Sequence, residues 1–160
     1  MKRGSTLFLK LAVFLLGVPI LALCIFGLPS LARDVAEGDP PYDYAIYIII
    51  VLMYISAIPF FGALYQAFRL LSYIDKNNAF SELSVKALRN IKVFAITITG
   101  LYVASLPFFY IFAELDDAPG VVLVGMAFVF APMVVAVFAA VLQKLLKDAI
   151  DIKSENDLTV

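Results

Sequence analysis

Residues 44–68 read "YAIYIIIVLMYISAIPFFGALYQAF", without one charged side chain. A helix rises 1.5 Å per residue, so about 20 apolar residues cross the ~30 Å hydrocarbon core of a bilayer. This run is longer than that. In lipid an open strand would leave backbone N–H and C=O groups unsatisfied, so the run is predicted to be a membrane-spanning helix. The same reading gives four spans, at about 11–32, 44–70, 92–113 and 119–143. Composition agrees: 63% of the 160 residues are hydrophobic and 16% charged, against about 25% charged in soluble domains. A chain this short could not hide so much apolar surface from water. The expected fold is all-α, one integral membrane domain over residues 1–160. It is a four-helix transmembrane bundle with a middle loop at 72–91, a tail at 144–160 and an amphipathic helical extension in that tail.

Lysine and arginine give the direction. Lys2, Arg3 and Lys10 precede the first span; Arg69, Lys76, Lys86, Arg89 and Lys92 lie between the second and third; Lys144, Lys147 and Lys153 follow the fourth. Of the 12 basic residues only Arg33 falls on the other side. The positive-inside rule then predicts that both termini and the middle loop are cytoplasmic. The opposite loops carry Asp34, Glu37, Asp39, Asp43, Glu114, Asp116 and Asp117, and Tyr42, Tyr44, Tyr47 and Tyr110 sit near that edge as an aromatic belt. Tyr65 and Tyr73 mark the other edge. "MKRGSTLFLK" has the look of a secretory n-region, with Ser30-Leu31-Ala32 as a cleavage site. However, the apolar run from Leu11 to Leu28 exceeds the usual 7–15 residues, so a retained anchor is expected. Cys24 follows Leu23 where a lipidation site wants a small residue, and reads as a small buried hydrophobe.

The chemistry-bearing residue types are sparse. There is no histidine and one cysteine, so the commonest acid–base group is missing and an internal disulfide is impossible. The span interiors hold no ionisable group of the kind that marks ion paths. Their polar side chains are few: Ser56, Gln66, Thr97, Thr99, Ser105 and some tyrosines. The hydroxyls are expected to bond back to carbonyls of their own helices. Each span has a proline, at 19, 59, 107 and 132, and "IPFF" at 58–61 echoes "LPFF" at 106–109. Tolerance of proline in membrane helices explains these better than a repeat does. Ala127/Ala131, Ala136/Ala140 and Gly125 read as close-packing positions. No paired carboxylate lies in a span, and no glycine-rich phosphate loop or metal-ligand cluster is present, so the expectation is a non-enzyme without cofactor or metal.

Two elements face the predicted cytoplasm. In the middle loop Asp75–Asn78 is turn-like, Ser81 is placed to cap a helix, and Phe80 and Val85 are spaced as a hydrophobic staple. That helix is expected to run unbroken into the third span, with Lys86, Arg89 and Lys92 near one face as a basic collar over anionic lipid or a docking face. In the tail Leu142, Leu145, Leu146, Ala149 and Ile150 keep helical spacing, so the fourth span is predicted to continue to about Lys153. Beyond it "SENDLTV" offers acidic and apolar groups beside a terminal carboxylate, which suits a docking peptide.

"AIDIKSENDLTV" at 149–160 and "NNAFSELSVKALRNIK" at 77–92 resemble the ending and the inter-helix segment of small bacterial membrane proteins classed as domain of unknown function 2975. The four-span layout matches too, so the resemblance covers most of the chain. It implies a multi-pass protein of the bacterial cell membrane. Members are often encoded beside a small helix-turn-helix transcription regulator, which implies a membrane-held control protein with that regulator as partner. The candidate partner-binding residues are Phe80, Ser81, Lys86 and Arg89 in the loop, and Asp151, Glu155, Asn156, Asp157, Leu158, Thr159 and Val160 in the tail. Lipid and a second copy of the chain are further expected partners; direct nucleic-acid binding is not expected at a net charge of −1. The alternative function is a small pore, transporter or export/immunity protein, whose missing mark is a polar path through the spans.

Overall fold

A computed structural model describes residues 2–38, 43–115 and 117–159. Asp39, Tyr42, Asp116 and Val160 from the readings above lie outside them. All the regular structure among the described residues is helical. α1 (Lys2–Ala22), a π-helical turn (Leu23–Gly27) and α2 (Leu28–Glu37) follow one another directly; α3 is Asp43–Asp75, α4 Glu82–Leu115 and α5 Gly120–Thr159. Four helical stretches are long and apolar enough to cross a bilayer: Gly4–Glu37, Tyr44–Asp75, Glu82–Glu114 and Gly120–Leu158. Each matches an expected span and overruns it at one or both ends.

The two short connections end helices in the same way. After α3, Asn77 adopts a left-handed φ of 61°, its N–H bonds Ile74 O at 3.2 Å, and Asn78 N–H bonds Tyr73 O at 2.7 Å. After α4, Asp117 (φ 49°) and Ala118 repeat the pattern on Glu114 and Ala113. Both are Schellman closures, with a short polar side chain taking the left-handed position that glycine usually fills. The expected turn and the helix starting beyond Ser81 are therefore both present. The expected staple is not closed: Val85 is 8% exposed but Phe80 is 57% exposed. Phe80 projects outward, and Val85 is buried without its cover.

Helix interfaces follow chain order. α1 and α2 pack on α3, α3 on α4, and α4 on α5, and among the described residues no comparable interface closes α5 onto α1. The bundle is thus an open row. A small residue brings neighbouring backbones together at the two main seams. A Cβ on Gly62 of α3 would stand 3.1 Å from the Phe94 ring of α4, and one on Gly125 of α5 would stand 3.0 Å from Phe109 and 3.2 Å from Leu106. Phe128 of α5 stacks on Tyr102 (centroids 5.3 Å) and on Phe109 (6.4 Å). Of the small pairs expected to pack, Ala136 is buried and Ala140 half-buried, whereas Ala127 and Ala131 face outward.

Candidate docking end

At the end of the row that carries the 76–81 turn, α1 is tied to α3. Lys10 Nζ donates to Asp75 Oδ2 at 2.7 Å, Thr6 Oγ1 donates to the same carboxylate, and the Lys10 ammonium lies 5.2 Å from the Phe68 ring centroid. Both charged side chains are about one-fifth exposed, and this is the one side-chain ion pair shown among the described residues. Arg69 sits between the rings of Tyr65 and Tyr73, 5.7 Å from each. Sequence reading missed the tie. Its partners are 65 residues apart, and only helix pairing makes them neighbours.

The turn itself is built on one carbonyl. Ser81 Oγ donates to Asn78 O at 2.6 Å and Ser84 Oγ to the same oxygen at 3.0 Å. Ser81 Oγ also accepts the Ser84 N–H at 3.4 Å, a long version of the expected cap. Ser84 is fully buried. The start of α4 is consequently fixed, and Lys86 and Arg89 are exposed upon it. Lys92 is half-buried.

α5 goes further than expected. Helix was predicted to about Lys153, and it continues to Thr159. The contacts of Gly125 and Phe128 with Phe109 and Tyr102 set an antiparallel register, which places Glu82, the first residue of α4, level with about Asp151. Residues 152–159 then project past α4 by about 12 Å at 1.5 Å per residue. Burial follows that geometry. Leu146, Ala149 and Ile150 are half-buried, while residues 151–158 are exposed all round. Asp151, Glu155, Asn156, Asp157 and Leu158 therefore lie on a projecting helix, with Leu158 83% exposed. Thr159 ends it. The loop residues Phe80, Ser81, Lys86 and Arg89 stand on a separate element, and the loop and tail sites form two neighbouring surfaces at one end of the molecule.

Within the spans, polar groups are satisfied close to home. Thr97 bonds Val93 O (2.9 Å), Thr99 bonds Ala95 O (2.8 Å) and Ser105 bonds Tyr102 O (2.7 Å). Ser56 Oγ bonds Met53 O at 2.8 Å and pairs with Tyr102 Oη at 2.8 Å. The π turn carries one bond that sequence reading did not find. Leu28 N–H bonds Leu23 O, a five-residue step. In that register the Cys24 carbonyl faces residue 29, which is proline and has no N–H. Tyr54 Oη fills the vacancy at 2.7 Å. Pro29 was the signal, and it sits ten residues beyond the span proline at 19. No group of three His, Cys, Asp or Glu that could hold a metal occurs among the described residues.

The model of the family described as "Protein of unknown function (DUF2975)" matches residues 30–160. The chain belongs to the DUF2975 family. It is 62% identical, over 160 residues and 100% of both chains, to the protein called "Uncharacterized membrane protein YoaS" of Bacillus subtilis (strain 168). No solved structure matches. The DUF2975 match begins inside α2, so it takes in the 76–81 turn and the whole of α5 and leaves out most of the first span. Family, helices and relative agree on a multi-pass membrane protein with four transmembrane helices.

Proposed function

We propose that this protein is a non-enzymatic, membrane-held regulator of the bacterial cell membrane, whose projecting α5 end binds a cytosolic protein. The observation that carries the reading is the helix beyond α4: it bears Asp151, Glu155 and Asp157 exposed and projects past the first residue of α4. Its acidic side chains suit a basic partner, and a small helix-turn-helix regulator, implied by the family resemblance, has that character. The bias of basic residues supports placing this end in the cytoplasm. Lys86 and Arg89 at the start of α4 would sit over anionic lipid beside it. A pore or transporter is the weaker reading, because the span hydroxyls are spent on local bonds.

The test compares intact protein with a version lacking residues 154–160 in detergent pull-downs from the native cell. The spans insert by their own hydrophobicity. Membrane level and thermal stability should therefore be unchanged while a basic cytosolic partner is lost. Asp157→Asn should reduce the salt dependence of capture, and Leu158→Ala should weaken capture at every salt concentration. Retention of every partner at native strength by the truncated protein would refute the proposal.

A further inference from the structure

The C-terminal half of α5 carries a second pattern, independent of the acidic groups on its projecting end. Phe138, Leu142, Leu145, Ala149, Ile152 and Asn156 recur at alternating steps of four and three. This is the a/d spacing of a two-stranded coiled coil. The stripe is not the face that α5 turns to α4. That face holds Ala136, Ala139, Leu146 and Ile150, roughly a third of a turn away at 100° per residue. On the stripe, Phe138 is 63% exposed, Leu142 51%, Leu145 59% and Ile152 65%.

Lipid accounts for only part of this exposure. Counting about 20 residues from Gly120 puts the hydrocarbon edge near residue 140. Ile152 then stands about 18 Å beyond that edge at 1.5 Å per residue, past the headgroups and past the end of α4. Ile152 is therefore an exposed apolar side chain that lipid does not cover.

We infer that the stripe pairs with the same stripe of a second copy, as a short parallel coiled coil rising from the membrane. Two copies inserted in the same direction present their α5 extensions side by side and parallel, so the membrane supplies the orientation. The flanking charges fit that orientation. With Leu142, Ala149 and Asn156 at a, Asp148 occupies g and Lys153 the following e. In a parallel pair the g residue of one helix meets that e residue of the other, so Asp148 faces Lys153 of the second copy twice, by symmetry. Asn156 at an a position is a residue type that sets register and strand number. The paired segment is about two and a half heptads, too short to be stable as a free peptide; confinement of both stems to one membrane raises their effective concentration. The outer positions remain free for the docking proposed above: Asp151 and Leu158 are at c, Asp157 at b.

The test is a cysteine scan of the full chain in native membranes, on a Cys24→Ala background so that the only native thiol is removed. Each of residues 148–155 is changed singly to cysteine and oxidised. A disulfide needs Cα atoms closer than about 7 Å, so dimer yield should peak at Ala149→Cys and Ile152→Cys and fall at Asp151→Cys and Ser154→Cys. Adding Asp148→Lys to Ile152→Cys should lower its yield about two- to fivefold, the size of an exposed ion pair, and adding Lys153→Asp as well should restore it. Absent crosslinking, equal crosslinking at every position, or failure of the double charge exchange to restore the yield overturns the inference. Ala149 and Ile150 are half-buried and the other scanned positions exposed, and each variant's membrane level controls for folding. Partner capture measured on the same membranes separates the two proposals: a flat scan with capture intact removes the coiled coil alone, and a periodic scan with capture insensitive to tail truncation removes the docking alone.

Discussion

Gly125→Ala tests the seam between α4 and α5. Two opposed effects act at that position. Replacing a helical glycine by alanine gains about 1 kcal/mol of helix propensity. The new Cβ would also lie 3.0 Å from Phe109 and 3.2 Å from Leu106. Phe109 is 7% exposed and its ring is stacked against Phe128, so it cannot retreat. Overpacking of this kind costs about 1–3 kcal/mol. Gly100 in α4 supplies the control, because a Cβ there meets nothing within 4 Å. Gly100→Ala carries the same propensity gain without the clash, so the difference between the two variants isolates the clash at about 1–3 kcal/mol. At roughly 2–4 °C per kcal/mol for a chain of this size, Gly125→Ala should melt several degrees below Gly100→Ala. The assay is thermal unfolding in one detergent, followed by retention of the monodisperse elution peak. Equal midpoints for the two variants would show that α5 does not approach α4 at Gly125, and the register that lets α5 project past α4 would fall with it.

Asn77→Gly should hold or raise stability, whereas Asn77→Val should lower it by about 1–2 kcal/mol, because only the second places a β-branched residue at a φ of 61°; the same melting assay reads both. Tyr54→Phe should cost about 0.6 kcal/mol, the usual worth of a hydrogen bond between membrane helices, and the pair Tyr54→Phe with Pro29→Ala should cost less than the sum, since Pro29→Ala restores an N–H for the Cys24 carbonyl. Additive losses would show that Tyr54 and Pro29 do not share that carbonyl. A reporter active only outside the cytoplasm should be silent when fused after Val160 and active when inserted after Gly38; the opposite pattern would invert the orientation drawn from the basic residues.

The spans and the turn after Asp75 were legible because each rests on local chemistry. A charge-free run longer than a bilayer is thick has one cheap conformation, and Asn77 and Ser81 act on backbone groups within a few residues of themselves. What stayed hidden depends on the pairing of distant helices. Lys10 and Asp75 meet only because α1 lies along α3. Tyr54 finds the Cys24 carbonyl only because a π turn frees it, and hydropathy does not register a change from four-residue to five-residue hydrogen bonding. The projecting end of α5 was partly legible: the tail was read as helix to about Lys153, and the remaining turns to Thr159 are polar and carry no stripe dense enough to mark them. Phe80 was misread for the opposite reason, since a staple has a sequence signature whether or not the chain's path closes it.

The serial order of the helix contacts bears on how the molecule is made. Each span packs on its neighbours in the chain, and the α3–α4 and α4–α5 seams are the two main ones. A ribosome delivers helices to the membrane in that same order, and domains fold progressively from the N-terminus during synthesis. α3 meets α1 and α2 already inserted, α4 meets α3, and α5 meets α4 with only four residues, 116–119, between them. The larger seam of α3 and of α4 forms with the very next span to be made, so no span waits in lipid for a distant part of the chain. Contacts close in sequence form quickly, so the bilayer portion can be finished almost as soon as Gln143 leaves the insertion machinery. The projecting end of α5 follows the last of these spans, so a chain that offers it has already completed the four-span fold described above.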